Sequence, residues 1–195
     1  FASKDSNLYA LDAKTGEEKW KFKIGDYINS SPTIFEGIVY FGSNDSHLYA
    51  LDAKTGEEKW KVKTGNRIPS SPAASDGIVY FASKDNHLYA VDSKTGEEKW
   101  KFKNEYIDYP GVSDGVVYFA SYSSKLYDDY KWRPCLFALD AKTGAEKWWL
   151  ELGERVTSSL AELDGIVYFG SQDKHLYAVD SKTGEEKWKF KTGDW

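Results

Sequence analysis

The sequence predicts an all-β protein assembled from tandem four-stranded antiparallel units. Three observations carry the prediction. The segment LDAKTGEEKW at 11–20 returns unchanged at 51–60 and in near copies at 91–100, 139–148 and 179–188, so that Trp20, Trp60, Trp100, Trp148 and Trp188 follow one another at intervals of 40, 40, 48 and 40 residues. Aromatic residues are supplied as 14 Tyr, 10 Phe and 8 Trp, a mixture suited to pleated, half-buried surfaces rather than to helices. No window shows the period of about 3.6 residues that an amphipathic helix requires.

Within one period the elements are read in order. Ser30-Ser31-Pro32-Thr33-Ile34, Gly37-Ile38-Val39-Tyr40-Phe41, His47-Leu48-Tyr49-Ala50-Leu51 and Glu58-Lys59-Trp60-Lys61-Val62 form four short strands. Between them lie Phe35-Glu36-Gly37, Asn44-Asp45-Ser46 and Lys54-Thr55-Gly56, turns in which Gly, Asn and Asp accept left-handed backbone angles. Connections this short make hairpins. In the fourth strand Trp60 and Val62 fall on one side and Lys59, Lys61 and Lys63 on the other. That is the pattern of an outer edge defended by lysine against edge-to-edge pairing. Four antiparallel strands in each 40-residue period, repeated, describe the blades of a β-propeller. A helical solenoid lacks its period here, and a sandwich does not account for near-identical copies.

All five copies spell Ala-x-Asp-x-x-Thr-Gly-x-x-x-Trp: Ala10, Gly16 and Trp20; Ala50, Gly56 and Trp60; Ala90, Gly96 and Trp100; Ala138, Gly144 and Trp148; Ala178, Gly184 and Trp188. The pattern resembles the tryptophan-docking motif of the pyrroloquinoline-quinone (PQQ) type propellers, found in quinoprotein dehydrogenases and in the non-catalytic outer-membrane assembly propeller. The resemblance covers the whole chain. It implies that each indole lies between the motif alanine and the backbone at the glycine of a neighbouring blade, which makes these residues inter-blade staples.

Phe1 aligns with Phe41, Phe81, Phe119 and Phe169 at the end of a second strand, so the first blade is expected to lack two strands. Lys191-Thr192-Gly193-Asp194-Trp195 align with Lys63-Thr64-Gly65-Asn66-Arg67, the approach to another blade. The expected layout is one propeller domain over 1–195, with about five blades at 1–24, 25–64, 65–103, 104–152 and 153–195, as part of a larger ring of six to eight. A five-blade ring with some residues missing from the sequence is the competing reading.

Strand order sorts the turns onto two faces. One repeats Lys-Thr-Gly-Glu-Glu, as at Lys14 to Glu18, and Asp-Gly, as at Asp76-Gly77, Asp114-Gly115 and Asp164-Gly165; such uniformity reads as geometry. The other varies, with Asp26-Tyr27-Ile28-Asn29, Asn66-Arg67-Ile68-Pro69, Asn104-Glu105-Tyr106-Ile107-Asp108 and Glu154-Arg155-Val156-Thr157 in one place of successive blades. Its longest departure is the hairpin that runs from Tyr122 to Cys135. Candidate partner contacts are therefore Tyr122, Tyr127, Tyr130, Trp132 and Arg133, with Tyr27, Arg67, Tyr106 and Arg155 around them, because Tyr, Trp and Arg on a rigid scaffold are the types that anchor partners. A loop that covers apolar surface is the alternative. His47, His87 and His175 share one repeat position. Stacked sheets lie about 10 Å apart, too far for equivalent histidines to hold one zinc ion, and no metal is expected. Asp5, Asp45, Asp85 and Asp173 read as turn residues.

A formal net charge of -5, spread along the chain, leaves no basic face for phosphates, so nucleic acid is not an expected partner. No apolar run approaches the roughly 18 residues of a membrane span. The single cysteine, Cys135, excludes an internal disulfide and a cysteine metal cluster. By resemblance, a quinoprotein dehydrogenase holds PQQ and calcium in its funnel, with an Asp base and, in many members, two adjacent cysteines. This sequence has no Cys-Cys pair, and its innermost strands SSPTI, SSPAA, YPGVS and SSLAE offer small side chains and one carboxylate, Glu162. The expected function is a non-catalytic binding or protein-interaction scaffold without a cofactor, meeting a protein or small ligand on the variable face. Two alternatives stand beside it: a fragment of a PQQ-dependent dehydrogenase, with PQQ and calcium, and the ligand-sensing ectodomain of a signalling protein. The resemblance implies a periplasmic, cell-surface or extracellular location, and no export signal is visible in these residues.

Overall fold

The computed structural model describes residues 1–3, 5–123 and 133–193. Among them are strands and turns and no helix. Each repeat becomes one antiparallel sheet. The first pairs β1 (Asn7–Leu11) with β2 (Glu18–Lys23), and Ala2 adds one bridge to Leu8. The second runs β3 (Thr33–Phe35), β4 (Ile38–Gly42), β5 (His47–Asp52), β6 (Glu58–Lys63), and the third β7 (Ala73–Ser75), β8 (Ile78–Ser83), β9 (His87–Asp92), β10 (Glu98–Lys103). The fourth runs β11 (Glu105–Ser113), β12 (Val116–Ser123), β13 (Arg133–Asp140), β14 (Glu146–Glu151), and the fifth β15 (Ala161–Leu163), β16 (Ile166–Ser171), β17 (His175–Asp180), β18 (Glu186–Lys191). In every sheet hydrogen-bonded neighbours are sequence neighbours, the blade order of a β-propeller.

Turn chemistry fixes these hairpins. Phe35 pairs with Ile38, leaving Glu36 and Gly37 as a two-residue loop at φ 47 and 76. Positive φ at both positions makes a type I′ turn, whose twist matches that of the flanking strands. At the third-to-fourth turn Asp52 Oδ1 accepts from the backbone N–H groups of Lys54 and Thr55, and its other oxygen meets Lys59 Nζ at 3.1 Å. Asp12 and Asp180 repeat this arrangement.

Four apolar cores lie between consecutive sheets, one per interface. Leu8, Phe41 and Leu51 centre the first, Tyr40, Leu48 and Phe81 the second, Tyr80, Phe119 and Leu139 the third, and Leu136, Val167 and Phe169 the fourth. The motif tryptophans close each interface from outside. Trp20 Nε1 donates to the Ala53 carbonyl at 3.1 Å, Trp60 to Ser93 at 3.1 Å, Trp100 to Ala141 at 3.0 Å and Trp148 to Ser181 at 3.0 Å. Ala10, Ala50, Ala90, Ala138 and Ala178 stand directly across the ladder from their own tryptophans. Beneath the indoles lie Gly56, Gly96, Gly144 and Gly184, where an added Cβ would sit only 2.6–2.8 Å from the nearest ring carbon.

Three further donors reinforce these joints. The hydroxyls of Tyr40, Tyr80 and Tyr118 donate to the carbonyls of Ser93, Ala141 and Ser181, the same oxygens that accept from the indoles. One correction follows. The reading that all five motif tryptophans are buried between blades gives way to a graded pattern: Trp148 is buried, Trp20, Trp60 and Trp100 are partly buried, and Trp188 is 46% exposed. At the other end, Gly16 meets nothing within 4 Å. Each indole needs a following sheet and each glycine a preceding one, and among the described residues Trp188 and Gly16 lack theirs.

Candidate binding site

The loops that enter successive blades share one device. Ile28, Ile68, Ile107 and Val156 are buried pins, and the residue before each, Tyr27, Arg67, Tyr106 or Arg155, is exposed. In three blades the backbone of that exposed residue is tied to the second-to-third hairpin: Tyr27 O accepts from Asn44 N, Arg67 O from Lys84 N and Arg155 O from Gln172 N.

The fourth blade departs from the pattern. From Trp100 to Ile107 is 7 residues where Trp60 to Ile68 is 8, and from Ile107 to Tyr118 is 11 where Ile68 to Tyr80 is 12. The shortened chain is drawn into pairing, so β11 extends over nine residues, with irregularities between Glu105 and Asp108 and between Asp108 and Gly111. Tyr106 sits in the first of these at φ 51, a left-handed conformation that is uncommon for a bulky residue. The other non-glycine residues of positive φ stand in hairpin turns and bends.

Two cavities result. One, of about 350 Å³, lies where the entries to the first strands converge, lined by Asn29, Pro69, Ser71, Asp108, Pro110 and Ser159 among others. The second, of about 420 Å³, is lined by Lys84, Tyr106, Asp108, Tyr122 and Arg155. Asp108 belongs to both. One of its carboxylate oxygens accepts from Lys84 Nζ at 3.3 Å, the other from Arg155 Nη2 at 3.2 Å. The rings of Tyr106 and Tyr122 meet edge to face with centroids 6.0 Å apart.

Of the nine candidate contacts, the structure brings Tyr106, Tyr122 and Arg155 together. Tyr27 and Arg67 are exposed on earlier blades, outside both cavities. Arg133 pairs with Glu151 at 2.8 Å within its own sheet. Tyr127, Tyr130 and Trp132 lie outside the described residues. Sequence reasoning missed Asp108 and Lys84, since neither belongs to a residue type that anchors interfaces and their meeting depends on three blades.

The remaining polar groups have local duties. His47, His87 and His175 place Nδ1 about 3 Å from the carbonyl of an aspartate two residues back, so that Nδ1 carries the hydrogen. Asp5, Asp45, Asp85 and Asp173 each accept the hydroxyl of a tyrosine four residues on and a backbone N–H two residues on. Burial raises Asp85, but hydrogen bonds from Tyr89 and Gly65 N–H outweigh it and hold the carboxyl below its ordinary value. Burial pushes the Cys135 thiol up to about 11, the state of an inert core cysteine.

The architecture is therefore a repeat propeller with an invariant face and a concave variable one. A family-wide sequence model described as outer membrane protein assembly factor BamB matches residues 4–127 and 107–194, and the chain belongs to this family of PQQ-type β-propellers. BamB from Moraxella catarrhalis is 27% identical and superposes with a TM-score of 0.76, over 97% of this chain and 56% of that one. A quinohemoprotein alcohol dehydrogenase from Pseudomonas putida HK5 is 21% identical with a TM-score of 0.78, over 97% and 40%. That from Comamonas testosteroni is 18% identical with a TM-score of 0.77, over 99% and 41%. At these identities the dehydrogenases share the fold. The chain spans about half the length of the structures it matches. No curated protein matches its sequence. No helix among the described residues is long and apolar enough to cross a membrane.

Proposed function

We propose that the chain is a non-catalytic propeller that binds a protein segment on its variable face, outside the cytoplasm. The observation that carries this reading is the meeting of Tyr106, Tyr122 and Arg155 in one cavity of about 420 Å³. Tyrosine and arginine dominate binding hot spots, and the volume is that of a site able to enclose a ligand group. The match to an assembly factor supports a scaffold.

The dehydrogenase alternative calls for PQQ and calcium. Calcium takes roughly six to eight oxygen ligands, whereas Asp108 is the one carboxylate lining the central cavity and both its oxygens already accept from cations. The residues described there do not fit that group.

The test uses the chain as bait in an extract of its source organism, beside the double variant Tyr106→Ala, Arg155→Ala and a variant altered at Glu17 and Glu57 on the uniform face. Loss of one hot-spot contact costs about 2 kcal/mol, around thirtyfold in affinity, so the captured partner should disappear with the first variant and persist with the second. The opposite result would place the interface on the uniform face. Dye reduction after addition of PQQ and Ca²⁺ is expected to show no turnover with alcohols; clear turnover overturns the scaffold reading.

A further inference from the structure

We infer that the segment bound in this cavity is acidic and carries an aromatic side chain next to the acid, an inference that rests on the scaffold reading. The lining residues come from three blades: Lys84 from the β8–β9 hairpin, Tyr106 and Asp108 from β11, Tyr122 from β12, and Arg155 from the loop before β15. They hold two cations and one carboxylate, a local surplus of positive charge on a chain whose net charge is -5.

Asp108 orients both cations and uses little of either. A guanidinium has five N–H donors and an ammonium three, and the side-chain bond each makes to a described residue is the single one to Asp108. The remaining donors of Arg155 form the planar fork that matches a carboxylate with two parallel hydrogen bonds. A carboxylate also balances the surplus of one charge. A phosphate dianion would exceed it, and would meet Asp108 as a like charge.

The aromatic preference comes from Tyr106. It is 56% exposed and meets the Tyr122 ring edge to face, so a third ring can complete the cluster in offset or edge geometry. Its left-handed backbone at φ 51 is a second, independent mark. Strain at an exposed aromatic points to a use for the side chain. Because Asp108 also lines the central cavity, the segment runs outward in extended form. Small polar residues of the segment face Ser71 and Ser159, its acid faces Arg155 and Lys84, and its ring faces the tyrosines.

The experiment is a fluorescence anisotropy titration of the whole chain with a labelled Gly/Ser peptide bearing Glu-Phe-Glu, beside Gln-Phe-Gln and Glu-Ala-Glu controls. The acidic aromatic peptide is expected to bind at least tenfold more tightly than either control, and more weakly as salt rises. Arg155→Gln and Tyr106→Gly should each weaken it at least tenfold with an unchanged thermal midpoint, since glycine adopts positive φ freely. Equal affinity for Gln-Phe-Gln, or binding indifferent to both substitutions, overturns the inference. Displacement of the peptide by millimolar inorganic phosphate overturns the choice of carboxylate. If no peptide binds while the extract partner is still captured through Tyr106 and Arg155, the acidic segment is wrong and the scaffold reading stands; if neither binds, both fall.

Discussion

Trp148 and Trp188 hold the same repeat position and differ in what lies beyond them. The first donates to Ser181 and is 8% exposed; the second is 46% exposed. Trp148→Ala should therefore cost about 3–5 kcal/mol as a large buried truncation, and Trp188→Ala less than about 1 kcal/mol. Urea midpoints at constant slope measure the difference, and equal losses would show that docking does not set the cost. A second pair separates backbone from packing. Gly16 and Gly56 both sit at φ 75, but an added Cβ meets nothing within 4 Å at Gly16 and Trp20 at 2.7 Å at Gly56. Gly16→Ala should cost about 1–2 kcal/mol, the penalty of a left-handed non-glycine residue, and Gly56→Ala clearly more, read from the same unfolding curves. The alanine, glycine and tryptophan positions were legible because five copies repeat them. The acceptors Ala53, Ser93, Ala141 and Ser181 were not, because every residue has a carbonyl and composition does not mark the one in use. Tyr40, Tyr80 and Tyr118 recur at one position, yet among so many aromatic residues they read as core rather than as hydroxyl donors.

Among the elements, the third-to-fourth turn carries a pH dependence. Backbone N–H groups of Lys54 and Thr55 and the Lys59 ammonium hold Asp52 at about 2; at Asp12 the largest cause is Lys19 and at Asp180 it is Lys187, with the same result. These folded values lie below the unfolded carboxylate value of about 3.9, so the unfolded chain takes up protons first. The contribution is present above about pH 4 and is lost as the pH falls toward 2. Acid titration of stability should show its steepest loss in that window, and Asp52→Asn, which keeps an oxygen for the turn but cannot titrate, should flatten it. A slope unchanged by the substitution counts against this assignment. Strands and turns were readable here from alternation and from Gly, Asn and Asp at fixed offsets. The irregular β11 was not, because its cause is a missing residue on either side of Ile107, and a shortened spacing does not say whether the chain will bulge, tilt or pair.

For the whole molecule, blade stacking could be read from period alone, whereas the cavity could not, since Lys84, Asp108 and Arg155 stand 24 and 47 residues apart and meet through three separate sheets. With one core and one tryptophan joint per interface, the propeller is a one-dimensional stack in which each unit feels its immediate neighbours. Cooperativity in such a stack fades with distance, and amide exchange should report it. Backbone amides of β8 and β9, held from both sides, should exchange more slowly than those of β17, whose sheet has a single filled joint; uniform rates would show one global unfolding unit instead. Asp108 alters this local logic, because its two ion pairs cross consecutive interfaces. A ligand that tightens them would slow exchange through the third, fourth and fifth sheets together and leave β1 and β2 unchanged, so that occupancy at one cavity is written as stiffness over three consecutive blades.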